Sequence, residues 1–198
     1  VCAPRGAGIA AAEADSVTLG LPALFVTSLA LTKWLRTRGV RPDAVLGHSL
    51  GEYVAAVVCG ALDVDDAIAV VAARAVALEQ LGPGAMLRLA LPLDDVQSLI
   101  KNRRGVEIAS QDAPRSTVVS GPSDVIEAIA AELGSDVASL IPVAAPGHSS
   151  LVEPAIPAVR AVAASIQGRT PTVLGYSCTA GTPITAEMMS DPQHWVRH

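Results

Sequence analysis

Large rings are scarce in this sequence: a single Phe, two Trp and two Tyr in 198 residues. A core built on aromatic packing is excluded. The apolar half of the composition is mostly Ala, Val and Leu, which suits close packing of helices on a sheet. Cysteines are few and odd in number. Cys2, Cys59 and Cys178 stand at long spacings that fit neither a disulfide framework nor a metal pattern, so small buried thiols in a reducing cytoplasm are expected. Basic runs are missing and the net charge is −5, so nothing offers itself to nucleic acid. No apolar run approaches the length of a membrane span, and no N-terminal signal pattern is visible. Repeats and low-complexity segments are absent too. The chain begins on Val1 rather than Met and stops just after an aromatic-basic stretch. A piece of a longer polypeptide is therefore expected.

What is present is enough for one domain, or one domain with an inserted lobe. Residues 1–18 show no periodicity. Pro22 fits the first turn of a helix whose Leu24, Phe25, Ser28, Leu31 and Leu35 recur at helical spacing, with Gly39 as its stop. Ala44–Leu46 reads as a short strand, about Leu50–Cys59 as a helix stopped by Gly60, and Val64–Leu81 as a helix with Asp63 as N-cap. The rhythm then changes. Strands at 85–91, 106–110, 116–120 and 137–143 alternate with helices at 93–100 and 123–133, the β-α-β-β-α-β order of a ferredoxin-like lobe. A helix at 159–166 and a strand at 172–177 resume the larger body. The expected organisation is α/β: residues 1–84 form the first part of the body, 85–144 the inserted lobe, and 145–198 the second part of the body and the start of a C-terminal linker.

Gly47-His48-Ser49-Leu50-Gly51 fits G-x-S-x-G, and a strand precedes it and a helix follows, as a nucleophile elbow requires. Both glycines are expected to be needed, because Cβ atoms in so tight a turn would collide. The turn would lift the Ser49 hydroxyl out of the sheet, and the N–H of Leu50 at the helix start could stabilise an oxyanion. Arg74 is a second signal. Its helical neighbours Val70, Val71, Ala77 and Leu78 are all apolar, so its face points inward. A guanidinium there needs an anionic partner. A structural carboxylate from elsewhere and the carboxylate of a substrate are both open at this point. A nucleophilic serine needs a general base. The candidates are His48, His148, His194 and His198. His48 is adjacent to Ser49, where consecutive side chains diverge. His194 and His198 lie in a polar stretch read as surface or linker. His148 sits where the chain returns from the lobe to the body, in Ala145-Pro146-Gly147-His148-Ser149.

Taken together these residues resemble the malonyl-CoA:acyl-carrier-protein acyltransferase family, in the form found within modular type I polyketide synthases. The resemblance runs from about Leu21 onward. It rests on Pro22-Ala23-Leu24-Phe25, on the stretch Pro42 to Tyr53 with GHSLGE, on Gly84-Ala85-Met86-Leu87, and on Val118-Val119-Ser120-Gly121-Pro122. His148-Ser149 with Glu153-Pro154, and Asp191-Pro192 with Trp195-Val196-Arg197-His198, complete it. It implies an α/β-hydrolase-like body with the inserted lobe. Ser49 would be the nucleophile and His148 its base. The N–H of Leu50 would lie in the oxyanion hole, and Arg74, Gly147 and His48 at the acyl site. It implies no bound cofactor and no metal. Malonyl-CoA or a relative would be the donor, a phosphopantetheinylated acyl carrier protein the acceptor, and neighbouring synthase domains further partners, in the cytoplasm.

The sequence departs from the family in places. The N-terminal GQGSQ strand is not found, Leu21 stands for a usual glutamine, and Asp112 stands for a usual asparagine, adding negative charge near the cleft. Ala145-Pro146-Gly147-His148 occupies the selectivity motif, where malonyl users often carry HAFH and methylmalonyl users YASH. Gly147 implies extra room and Leu50 a malonyl user. The expectation is malonyl with larger units allowed. Other readings are a serine hydrolase or thioesterase with the same elbow, a truncated non-catalytic remnant, and a free-standing fatty-acid transacylase.

Overall fold

The computed structural model describes residues 16–198. Cys2 and most of the aperiodic opening stretch lie outside the described residues. Two compact units divide the chain. One takes Thr18–Ala77 and Ile156–His198, the other Leu78–Ala155.

In the first unit, helix α1 (Val17–Thr37) turns Phe25 and Leu29 into the core. It starts five residues before Pro22, so the proline sits in the second turn and forgoes one i→i−4 bond there, instead of occupying the first turn. At 21 residues α1 is long and apolar enough, by length and composition only, to cross a bilayer. That corrects the expectation that no run reaches such a length. Interspersed Gly, Ser and Thr hide the apolar total from inspection. Strand β1 (Ala44–Leu46) leads into helix α2 (Gly51–Val58), and helix α3 (Val64–Glu79) follows. Asp63 Oδ1 accepts from the N–H of Asp65 at 3.0 Å, the expected N-cap. Gly60, just past α2, adopts φ +84°, a left-handed stop that a side chain would strain. Later come helix α6 (Ile156–Ala163), strand β6 (Leu174–Tyr176), and two short helices, α7 (Ala186–Ser190) and α8 (Pro192–Arg197). β1 and β6 pair in parallel, Val45 opposite Gly175. A Cβ on Gly175 would stand 3.0 Å from Cys59 Sγ and 3.1 Å from Ile184 Cδ1, so glycine permits this close stacking of helix on strand. Phe25, Leu50, Tyr53, Cys59, Val70, Val71, Met189 and Trp195 share one apolar cluster. Cys59 is the small buried thiol foreseen, while Cys178 is exposed.

The second unit is the ferredoxin-like lobe. Strands β2 (Gly84–Leu89), β3 (Glu107–Ala113), β4 (Ser116–Pro122) and β5 (Ala138–Ile141) form one antiparallel sheet in the order β3-β4-β2-β5. Helices α4 (Leu93–Ile100) and α5 (Ser123–Leu133) supply the intervening elements. Leu87 and Leu89 alternate inward on β2 around exposed Arg88, and meet Val96, Val119, Ile126 and Ile129. Each such fully buried side chain stabilises the lobe by about 2 kcal/mol. Asp112, expected near a cleft, is exposed at the end of β3 and accepts from Ser110 Oγ at 2.8 Å.

Candidate active site

The turn between β1 and α2 carries the motif. Ser49 has φ +50°. A non-glycine residue in the left-handed region is strained by roughly 1–2 kcal/mol. The N–H groups of Gly51, Glu52 and Tyr53 close the turn onto the carbonyls of His48, Ser49 and Leu50 at 2.9, 2.8 and 3.2 Å. The Leu50 N–H takes no part in those three bonds and opens the helix end. The glycines are not equivalent. A Cβ on Gly47 would lie 1.9 Å from the Gly51 carbonyl oxygen, so no other residue fits there. A Cβ on Gly51 would meet nothing within 4 Å. The expectation that both are sterically required is corrected for Gly51, whose Cα direction leaves the turn. The His48 side chain is exposed, and Ser49 is half-buried.

Arg74 lies on the inward face of α3, with Val70, Val71, Ala77 and Leu78 all buried as anticipated. No carboxylate among the described residues comes within ion-pair distance of it. Its Nη1 instead stands 2.7 Å from His198 Nδ1. Nearby Tyr53 is fully buried. Burial pushes its phenol up, against the opposing pull of the Arg74 charge.

Sequence reasoning missed Glu52, one turn past the nucleophile and 0% exposed. Its carboxylate accepts from Ser177 Oγ (2.5 Å), Cys178 N–H (3.1 Å) and S–H (2.8 Å). Thr179 N–H (3.1 Å) and Oγ1 (3.0 Å) and His194 Nε2 (2.9 Å) complete the set. Burial by itself would raise its pKa. The bonds from His194, Cys178 and Ser177 outweigh that and hold it well below the usual carboxylate range. His194, 1% exposed, and Trp195, 2% exposed, are thus core residues. The reading of this stretch as surface or linker is overturned. Asp191 caps α8 and Pro192 occupies its first turn, so 194, 195 and 198 fall on one inward face. The Asp-Pro pair was the available signal. Tyr53 stacks on Trp195 at 4.7 Å, 18° from parallel.

Glu52, Cys178 and His198 offer ligand atoms within 4.8 Å of one another, the geometry of a small metal site. The chemistry of the donors argues against a chelate. Glu52 already accepts six hydrogen bonds, and the cationic Arg74 fork occupies one nitrogen of His198.

We expect Glu52→Gln to cost about 3 kcal/mol of folding stability at neutral pH, because the neutral amide cannot accept all the bonds that now converge on the buried carboxylate and leaves buried donors unsatisfied. The folded carboxyl is harder to protonate than an unfolded one. Its stabilisation is therefore full above the unfolded pKa of about 4.3 and fades as pH falls from there toward the lower folded value. Denaturant titrations at neutral pH and under acid should show the mutant losing less stability on acidification than the parent. Equal acid sensitivity would remove Glu52 from this role.

His148 and Gly147 belong to the second unit. His148 has φ +60°. Its loop is pinned on both sides: Ser149 Oγ donates to the Pro146 carbonyl at 2.7 Å, while Ser150 donates through N–H (3.0 Å) and hydroxyl to the Glu107 carboxylate. Glu107 was not singled out from sequence. Pro146 packs so closely on Gly84 that a Cβ there would lie 2.5 Å from its ring. A Cβ on buried Gly147 would stand 3.2 Å from Met86 Sδ.

Comparison with known proteins adds a family. Residues 9–198 match the acyl transferase domain pattern. The pikromycin polyketide synthase component PikAII of Streptomyces venezuelae is 37% identical over 188 residues, covering 93% of this chain and 5% of that protein. The acyltransferase domain from module 8 of the salinomycin polyketide synthase superposes with TM-score 0.84 at 36% identity, covering 93% of this chain and 44% of that one. A loading acyltransferase from the avermectin modular polyketide synthase gives 0.86 at 33% identity, covering 93% and 60%. The chain therefore spans less than two thirds of the length of each of these relatives.

Proposed function

Starting from the fact that this chain belongs to the acyl transferase domain family, we propose that it loads a malonyl-type unit from coenzyme A onto Ser49. It then passes the unit to the phosphopantetheine thiol of an acyl carrier protein during polyketide assembly. One observation carries the residue assignment. Among the described residues, Ser49 and His148 are the only non-glycine positions with left-handed backbone. Strain of that kind is retained where the surrounding structure holds a residue for its chemistry.

Ser49 Oγ attacks the thioester carbonyl and His148 takes its proton. The oxyanion forms beside the Leu50 N–H, and the CoA thiolate leaves with the proton from His148. In the second half-reaction the carrier thiol gives its proton to His148 and attacks the serine ester, and Ser49 departs with that proton restored. Arg74 holds the free carboxylate of the acyl group through the two-toothed geometry that guanidinium offers. Both CoA and phosphopantetheine arrive on substrates, so no resident cofactor is needed.

The test is intact mass spectrometry of the full polypeptide after brief exposure to malonyl-, methylmalonyl- and acetyl-CoA. An adduct on the Ser49 peptide from carboxylated units and not from acetyl-CoA supports the reading. CoA release with free acid and no transfer to a carrier protein would make it a hydrolase instead, and no reaction at all would make it a remnant.

Gly147 governs room at the acyl site in this proposal. Gly147→Phe displaces the flexible Met86 thioether and narrows the site. Loading of methylmalonyl relative to malonyl should drop by about tenfold or more. Unchanged loading of the branched unit would show that Gly147 lies away from the acyl group.

A further inference from the structure

We infer that His198 is a positioning residue for recognition of the carboxylated acyl unit: it fixes the Arg74 guanidinium relative to the nucleophile turn. The inference rests on the proposal that Arg74 binds the acyl carboxylate. Its own basis is geometric. His198 Nδ1 lies 2.7 Å from Arg74 Nη1, and His198 Nε2 lies 2.9 Å from the backbone carbonyl oxygen of Ser49 itself. A guanidinium can only donate and a carbonyl can only accept. Both nitrogens are therefore assigned. Nδ1 accepts from Arg74, Nε2–H donates to Ser49, and the ring is the neutral Nε2–H tautomer. No other protonation state makes both bonds.

The ring is held from every side. His198 N–H donates to the His194 carbonyl at 2.9 Å, and His194 Nε2 donates to Glu52. Glu52 N–H in turn donates to the same Ser49 carbonyl that His198 reaches. The path Ser49, Glu52, His194, His198 and back to Ser49 is thus closed, and it locks α8 to the start of α2. The Tyr53 ring meets the imidazole edge-on at 4.9 Å. What the closed path leaves open is the guanidinium. His198 takes one of its five N–H groups and sets the plane of the fork, so the remaining donors are aimed before any acyl group arrives. An arginine on a long flexible stem would otherwise sample many rotamers, and displacement by an ångström is enough to lose productive orientation. The Ser49 carbonyl is the frame of reference because the same residue supplies the nucleophile.

Two substitutions separate the two bonds. His198→Asn keeps an acceptor near the Nδ1 position and loses the donor to Ser49. His198→Gln keeps a donor near the Nε2 position and loses the acceptor for Arg74. Initial rates of acyl-enzyme formation from malonyl-CoA and acetyl-CoA are measured for both, and for Arg74→Ala, in the full polypeptide, with melting temperatures checked in parallel. The expected result is that His198→Asn, which keeps the bond to Arg74 and loses the one to Ser49, weakens the malonyl preference by less than His198→Gln does. His198→Gln should lower malonyl loading by about tenfold or more through KM, with a much smaller change in acetyl loading. If His198→Gln reduces both donors equally, or leaves malonyl loading intact while Arg74→Ala destroys the preference, His198 is a structural residue and the inference falls alone. If Arg74→Ala also leaves the preference intact, the carboxylate reading fails and takes this inference with it.

Discussion

Ser49→Ala is expected to abolish acyl-enzyme formation, lowering the transfer rate by about four to six orders of magnitude, as loss of an activated serine nucleophile does. The elbow gives this prediction a second arm. Ser49 stands at φ +50°, where alanine is as strained as serine but glycine is not. Ser49→Gly should therefore be equally dead and more stable than Ser49→Ala by up to about 1 kcal/mol, since relief of strain is partly offset by the freedom of glycine in the unfolded chain. The pair is read by mass spectrometry after exposure to malonyl-CoA and by thermal melts. A persistent adduct on the same peptide in either variant would place the nucleophile elsewhere.

Arg74→Ala is the second large effect. The guanidinium sits half-buried on an apolar face with no carboxylate of the described residues beside it. Removing it deletes the partner proposed for the acyl carboxylate, and the loss of one member of a desolvated charged pair costs about 2–5 kcal/mol. Malonyl loading should fall by about two to three orders of magnitude. Acetyl loading should rise, because no cationic fork then waits for an anion that acetyl lacks. Competition between the two CoA thioesters reads both effects at once. A uniform loss for both donors would mean that Arg74 supports the fold through His198 and Tyr53, and not the substrate.

How legible the chain was varied with the range of the interactions. Helices over 93–100 and 123–133 were readable to the residue, because an inward apolar stripe and a flanking proline lie within one or two turns of each other. The strand at 172–177 shrinks to Leu174–Tyr176, since its extent is set by a parallel partner about 130 residues away, Ala44–Leu46. The helix beginning at Val17 was displaced by too strict a use of Pro22, a residue whose cost tertiary packing of Phe25 and Leu29 offsets. In the site, Ser49 and Arg74 announced themselves by local pattern. Glu52 did not, because the groups that bind its carboxylate come from 125 to 142 residues further along. His194 and His198 looked polar, and only the docking of their helix onto Tyr53 turned them inward.

The sequence by itself determined the elements that depend on neighbours within a turn or two. These are the strand-turn-helix around Gly47-His48-Ser49, the apolar face that carries Arg74, and the β-α-β-β-α-β order of the lobe. Periodicity and backbone sterics act locally, so they can be read locally. Tertiary structure alone decided which polar side chains become buried and what satisfies them: the six donors around Glu52, and the single tautomer of His198 between Arg74 and Ser49. A buried charge must find partners wherever the fold brings them. The chain can encode that requirement at one position while its answer lies more than a hundred residues away.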